Sequence, residues 1–283
     1  MDRIFRTWEL MGQSLGILWS DAALLWLPIC SAIACVSVSV VMMSGAALEF
    51  LPQLKAMHAS GAQHPQMTQG MWVFTILFYV VNYFIVIFFN VALVSIASDR
   101  LSGGHATLND GLQVAWQRKW KIFQWAILAA TIGVVLRAIE DRSQWLGRMV
   151  ADVIGIAWNL ATYLIVPVLA AEDLGPAEAF TRSAELFTKT WGEELVGGFS
   201  FGLIFVLLGL PAIIFPIYGA RLGHNQEILG LVLAIVYWLM LATINSAAQG
   251  VFMAALYRYV TTQQAPPGFS EDDLREAWQS RQT

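Results

Sequence analysis

Residues Gly198–Gly202 read GFSFG, the G-x-S-x-G spacing that in hydrolases exposes a serine nucleophile on a sharp strand-to-helix turn. Here the motif lies inside an apolar run, and no histidine falls in any such run to serve as its base. Gly198 and Gly202 are also a GxxxG pair, which lets two membrane helices approach closely. Packing is the role we expect of them, and Gly155, Ala129 and Gly133 are expected to do similar work. His58 and His64 stand in the loop KAMHASGAQHPQM. A metal site needs three or four ligands, and no Cys, Asp or Glu nearby completes a set. SGGHATLNDG at Ser102–Gly111 is glycine-rich but lacks the Gly-Lys-Ser/Thr ending of a phosphate loop. No metal, no cofactor and no enzymatic activity are expected.

Polar residues within the apolar runs are more informative. Asn82, Asn90, Asn159, Asn245 and Gln249 must each find a partner in hydrocarbon, so they are expected to face the interior of a bundle. Asn245 and Gln249 are four apart and share a helix face. One reading is interhelical hydrogen bonding, worth around 0.6 kcal/mol per contact and at most about 2. The other is a polar seam for a substrate. No acid or base buried in the runs accompanies the amides, which favours the first. Arg137, Glu140, Asp141 and Arg142 sit where the third run ends, and Arg137 and Glu140 can pair at i,i+3. They are expected to form an ion-pair cluster closing that end, with a gate or headgroup site as the sharper alternative. Pro167, Pro211 and Pro216 can each kink a helix and free backbone carbonyls.

These residues need elements to hold them, and composition says which. Hydrophobic residues make up 57% of the 283 and charged ones 13%, with a mean hydropathy of +0.60; a soluble domain carries about 25% charge. Six runs approach the ~20 apolar residues needed to cross a hydrocarbon core, near 22–47, 72–97, 122–139, 150–171, 195–218 and 228–256. The first is too long for a secretory signal. Cys30 and Cys35 lie five apart within it, about 140° apart on a helix, which disfavours a disulfide. The net charge of −4 argues against a nucleic-acid partner.

One set of connecting segments (the N-terminus, 98–121, 172–194 and the tail) holds 11 of the 16 Lys and Arg residues. That side is expected to be cytoplasmic, with both termini there. Each of its segments carries an apolar stripe at helical spacing: Ile4, Trp8, Met11, Leu15 and Leu18; Leu112, Trp116, Trp120 and Phe123; Phe180, Ala184, Phe187 and Trp191. Such helices are expected to lie in the interface plane, with tryptophans as anchors. DGLQVAWQRK at Asp110–Lys119 returns as DDLREAWQSR at Asp272–Arg281, placing Trp278 in register with Trp116. Ser270 can cap the tail helix and Phe269 can staple against Leu274.

The expected fold is therefore an all-α polytopic membrane bundle. Six transmembrane helices form three hairpin repeats with cytoplasmic in-plane amphipathic helices. Residues 1–264 form the six-span domain, and 265–283 a tail that begins a fourth unit. The expected setting is a bacterial-type inner membrane, with the bilayer and phospholipid headgroups as partners.

Two stretches carry a resemblance: FFNVALVSIASDRLSGGHATLNDGLQVAWQR, from Phe88 to Arg118, and LIVPVLAAEDLGPAEAFTRSAELFTKTWGEELVG, from Leu164 to Gly197. They resemble a prokaryotic six-span membrane family of unknown function, akin to the membrane domain of some glycerophosphodiester phosphodiesterases. The resemblance implies the topology and carries over no site residues. A non-enzymatic role in organising or sensing the membrane is expected first, with a transporter or lipid translocator as the alternative. A membrane-embedded hydrolase, resting on GFSFG alone, comes third.

The orientation is testable with single introduced cysteines and an impermeant thiol reagent added from outside. Labelling at position 58 but not at 118 is expected; the reverse pattern sinks the assignment.

Overall fold

The computed structural model describes residues 12–19, 22–59, 69–142, 145–190, 201–222, 224–267 and 269. Residues 12–19 are helical (α1), and a 3-10 turn at Ala22–Leu25 leads into α2 (Trp26–Ala59). Then follow α3 (Gln69–Leu101), α4 (Leu108–Gln117), α5 (Lys119–Arg142), α6 (Trp145–Ala161), α7 (Ile165–Ala171), α8 (Pro176–Thr190), α9 (Phe201–Gly209), α10 (Ile214–Leu222) and α11 (His224–Thr262). Among the described residues there is no strand. An all-helical backbone follows from the composition, because a helix satisfies its own N–H and C=O groups where water is absent.

Five helical stretches are long and apolar enough to cross a membrane: Ala22–Pro52, Gln69–Leu101, Lys119–Arg137, Asp152–Ala171 and Gln226–Thr262. They fall on five of the six expected runs. At the remaining run, 195–218, the structure has a shorter apolar stretch, Phe205–Gly219, and residues 191–200 lie outside the described ones. α5 continues to Arg142, and α6 begins at Trp145. The charged residues that end the third run thus stand on the end of α5.

Proline explains both interruptions. Pro167 has no N–H and its ring clashes with the carbonyl of Tyr163, four residues back, and the chain leaves helical geometry at 162–164. The Leu164 N–H donates instead to Ser183 Oγ on α8, at 3.1 Å. Pro211 stands inside a second break, a 3-10 turn at Leu210–Ile213, and Pro216 follows it in the first turn of α10. There Tyr237 on α11 donates its hydroxyl hydrogen to the Leu208 carbonyl at 2.8 Å. Each break is served by a side chain from another helix.

By contacts the chain divides into two compact units. One comprises the described residues of 1–29, 93–111 and 185–283, the other those of 30–92 and 112–184. In the first, Leu93, Val94, Ile96 and Ala97 of α3 are buried, as are Ala247, Ala248, Val251, Phe252 and Leu256 of α11. A methyl at Gly250 would overlap the Leu93 side chain, so α3 and α11 meet there. α10 and α11 form an antiparallel pair whose backbones nearly touch. A methyl at Gly219 would overlap the Gln226 carbonyl oxygen, and one at Gly230 the Phe215 carbonyl oxygen. α11 ends at Gln263, which takes the left-handed conformation (φ 57°) and donates its N–H to the Tyr259 carbonyl. In the second unit α2 and α3 are tied by Ser39–Asn82 and by the edge-to-face pair Phe50–Phe74.

The close-approach glycines are not those expected from the sequence. Around Gly133 and Gly155 the space a Cβ would occupy has nothing within 4 Å among the described residues. Gly198 lies outside the described residues, and of Gly202 only its place in α9 is described.

Gly230→Ala should destabilise the protein in mild detergent by about 1–3 kcal/mol, since a backbone rather than a rotamer must yield. Gly133→Ala should change stability by under about 1 kcal/mol in either direction. Equal losses on thermal unfolding would contradict the close approach.

Candidate membrane-interface site

Described polar groups from three helices converge at the end of α7, and every contact of this cluster lies within the second unit. The last carbonyls of a helix have no intrahelical partner and collect partial negative charge. Glu172 leaves the helix in an extended conformation, its N–H still bonded to the Val168 carbonyl. Arg118 caps that end: its guanidinium donates to the Glu172 carbonyl and, at 3.4 Å, to the Ala171 carbonyl. Arg182 of α8 donates its Nε–H to both carboxylate oxygens of Glu172, at 3.0 and 3.2 Å. Lys121 of α5 pairs with Asp173. The Lys121 ammonium, first by hydrogen bond and then by charge, holds the Asp173 carboxyl below its usual range. The pair therefore persists at neutral pH and is lost as pH falls through that depressed value.

Position 118 is available for this task because it is the single residue between α4 and α5. Its N–H bonds back to the Val114 carbonyl, and its own carbonyl receives the Ile122 N–H. The two helices thus run on almost without a gap. α4 and α8 also start alike. The Asp110 carboxylate accepts from the Thr107 N–H at 2.8 Å, and the Glu178 carboxylate accepts from the Gly175 N–H at 3.0 Å. In both, an acid three residues into the helix reaches back to the cap, as in a capping box.

The apolar faces of these two helices differ. Phe180 of α8 stacks on Trp158 of α6 at 5.3 Å, and Trp158 stacks on Trp125 of α5 at 5.8 Å with rings 2° from parallel. Ala179, Ser183, Leu186 and Phe187 are buried. The α8 stripe, expected to face the bilayer interface, is taken up by the protein. Along α4 and the start of α5, Ala115, Ile122, Trp125 and Ala126 are buried, while Trp116 and Trp120 are 61% and 69% exposed. Lys119 Nζ lies 3.9 Å from the centroid of the Trp116 ring, a cation–π distance. Trp120 packs edge-on to Phe123, and Phe123 to Phe84 of α3.

The remaining expected site residues are dispersed. Asn82 donates to the Phe78 carbonyl at 2.9 Å and accepts from Ser39 Oγ at 3.2 Å. Asn90 is half-buried and Asn159 is exposed, contrary to the inward position expected of it. Asn245 and Gln249 satisfy each other along α11, Gln249 Nε2 donating to Asn245 Oδ1 at 3.0 Å. Asn82, Asn90 and Asn159 belong to one compact unit, Asn245 and Gln249 to the other. Arg137 is exposed; Glu140, Asp141 and Arg142 continue α5, and their side chains lie outside what is described. Trp8, Trp191, Trp278, His64, Ser200 and the tail helix at Asp272–Arg281 also lie outside the described residues. Phe269, which precedes Asp272 in the tail, is buried. Cys30 and Cys35 are both free thiols. Among the described residues no group of three His, Cys, Asp or Glu is placed to hold a metal ion.

Sequence reasoning missed Ser183 and the Arg118–Glu172–Arg182 network. The partners are 19, 54 and 10 residues apart, and nothing local to either side announces the contact. The nearest signal was the acidic pair Glu172–Asp173 just after an apolar run.

The model of a family of unknown function (DUF6159) matches residues 69–267, from the start of α3 to beyond α11, and the chain belongs to that family. No curated protein and no solved structure matches it, so the likeness to the membrane domain of glycerophosphodiester phosphodiesterases gains no support.

Replacing Ser183 with Ala should leave the Leu164 N–H unpaired and cost about 1–3 kcal/mol. Hydrogen exchange at residues 162–165 should accelerate with it. A Ser183→Ala protein as stable and as protected as the parent would remove Ser183 from this role.

Proposed function

We propose that this chain is a non-enzymatic integral membrane protein that organises or senses the lipid at one membrane face. The observation that carries the reading is the exposure of Trp116 and Trp120 on a segment that is otherwise pinned. Indole rings favour the headgroup level, where an apolar body and a polar N–H are both accommodated. In this reading α4 lies in the interface plane. Trp116 of α4 and Trp120 at the start of α5 enter the acyl boundary, and Lys119 sits among the headgroup phosphates.

Rigidity gives the contact a consequence. Arg118 and Lys121 tie the same segment to residues 171–173, so a shift of α4 with lipid packing moves the end of α7. At the other end of α7 lies the break at 162–164, where a span can bend. In the full proposal six spans form three hairpin repeats of a bacterial-type inner membrane, with both termini cytoplasmic. The 11-to-5 division of basic residues and the matching starts of α4 and α8 support that layout.

Nitroxide labels at 113, 116, 117 and 120, in full-length protein reconstituted into nanodiscs, test the placement. Collision with oxygen against a water-soluble nickel chelate reports depth. Positions 116 and 120 should read as headgroup depth or below, and 113 and 117 as aqueous. Four equally aqueous positions would overturn the reading. So would 116 and 120 shielded from both quenchers, because a protein partner would then cover them.

A further inference from the structure

Asn90 and Asn159 are the asparagines of the apolar stretches whose side chains form no hydrogen bond among the described residues, and of the two only Asn159 is exposed. It stands seven residues into the apolar stretch Asp152–Ala171, about 10 Å along the helix and so roughly a third of the way through a ~30 Å hydrocarbon core. Its side chain is exposed, and among the described residues nothing donates to it or accepts from it. Asn82 meets the same requirement differently, donating to its own helix and accepting from Ser39. Asn245 and Gln249 meet it with each other. In lipid an exposed carboxamide has no solvent to fall back on, so its partner must come from another protein surface.

We infer that this face of α6 pairs with α6 of a second copy of the chain, Asn159 against Asn159. A primary amide carries donor and acceptor in one plane, so two of them related by a two-fold axis exchange a pair of hydrogen bonds. A second copy inserts with the same orientation and presents its amide at the same depth, and an isologous contact of this kind closes. The backbone geometry permits it. Gly155, one turn earlier on the same face, has nothing within 4 Å of a Cβ position, so two α6 backbones can approach closely there. Ile156, also exposed, flanks the amide with apolar surface. Trp158 lies about 100° round the helix, committed to its stack with Trp125 and Phe180, so pairing leaves the unit intact. This inference does not depend on the role of Trp116 and Trp120.

The test uses full-length protein in liposomes at a series of protein-to-lipid ratios, with dimer fraction read by single-molecule photobleaching. Asn159→Leu should weaken association roughly three- to twenty-fold per hydrogen bond lost, and Asn159→Gln should retain more of it. In a chain with Cys30 and Cys35 replaced by Ser, Asn159→Cys should form a symmetric disulfide on oxidation, whereas Ala157→Cys, on the far side of α6, should not. Unchanged thermal stability and tryptophan emission would show that the Leu variant is folded. The inference fails if the parent is monomeric at every density, if Asn159→Leu associates as tightly as the parent, or if the position 157 variant cross-links as readily as 159.

Discussion

An unpaired backbone N–H or C=O in apolar surroundings costs several kcal/mol, and the helical architecture of the described residues avoids that cost. Helices do so by themselves, and they fill the apolar stretches. Where proline prevents it, the repair comes from a different helix. Ser183 reaches from α8 to the Leu164 N–H, and Tyr237 reaches from α11 to the Leu208 carbonyl. Each repair fixes two elements against each other, so the points where the helix fails locally are also points where the tertiary structure is specified. The same logic extends to the end of α7, where Arg118 answers the last carbonyls with a charged donor.

Within lipid the hydrophobic effect does not draw helices together, because acyl chains are as apolar as leucine. Association must come from close packing and from hydrogen bonds. The chain uses both, in different places. α10 and α11 rely on Gly219 and Gly230, each lying against a backbone carbonyl of the other helix. α2 and α3 rely on Ser39 and Asn82, with aromatic edges around them. α5, α6 and α8 are joined by the flat stack of Trp125, Trp158 and Phe180, which adds quadrupole-guided contact to large apolar area.

What could be read from the sequence was what depends on neighbours along the chain. Run length gave five of the apolar helices, and the prolines marked where two helices would break. What depends on the facing surface could not be read. Gly133 and Gly155 have the composition of packing glycines, but no described residue of the same chain packs on them; Gly219 and Gly230 look no different and carry a contact. Asn245 and Gln249 were noted as sharing a face, and that spacing is what lets them bond to each other. Phe180, Phe187 and the pair Trp116–Trp120 all follow helical spacing, and periodicity cannot say that the first two are sequestered while the tryptophans remain outside.

That last difference bears on how the parts work together. α4 and α8 begin with the same device, an acid turned back onto the cap, yet they end in different environments. α8 has spent its apolar face on the protein and contributes the groups that define its neighbours: Phe180 to the stack, Ser183 to the break, Arg182 to Glu172. α4 and the start of α5 keep Trp116 and Trp120 outward, and Arg118 and Lys121 attach the segment to residues 171–173. One helix therefore builds the joint and the other is connected to it. The segment around Trp116 and Trp120 is exposed and is held through Arg118 and Lys121 to residues 171–173, whereas α8 is fixed by Phe180, Ser183 and Arg182.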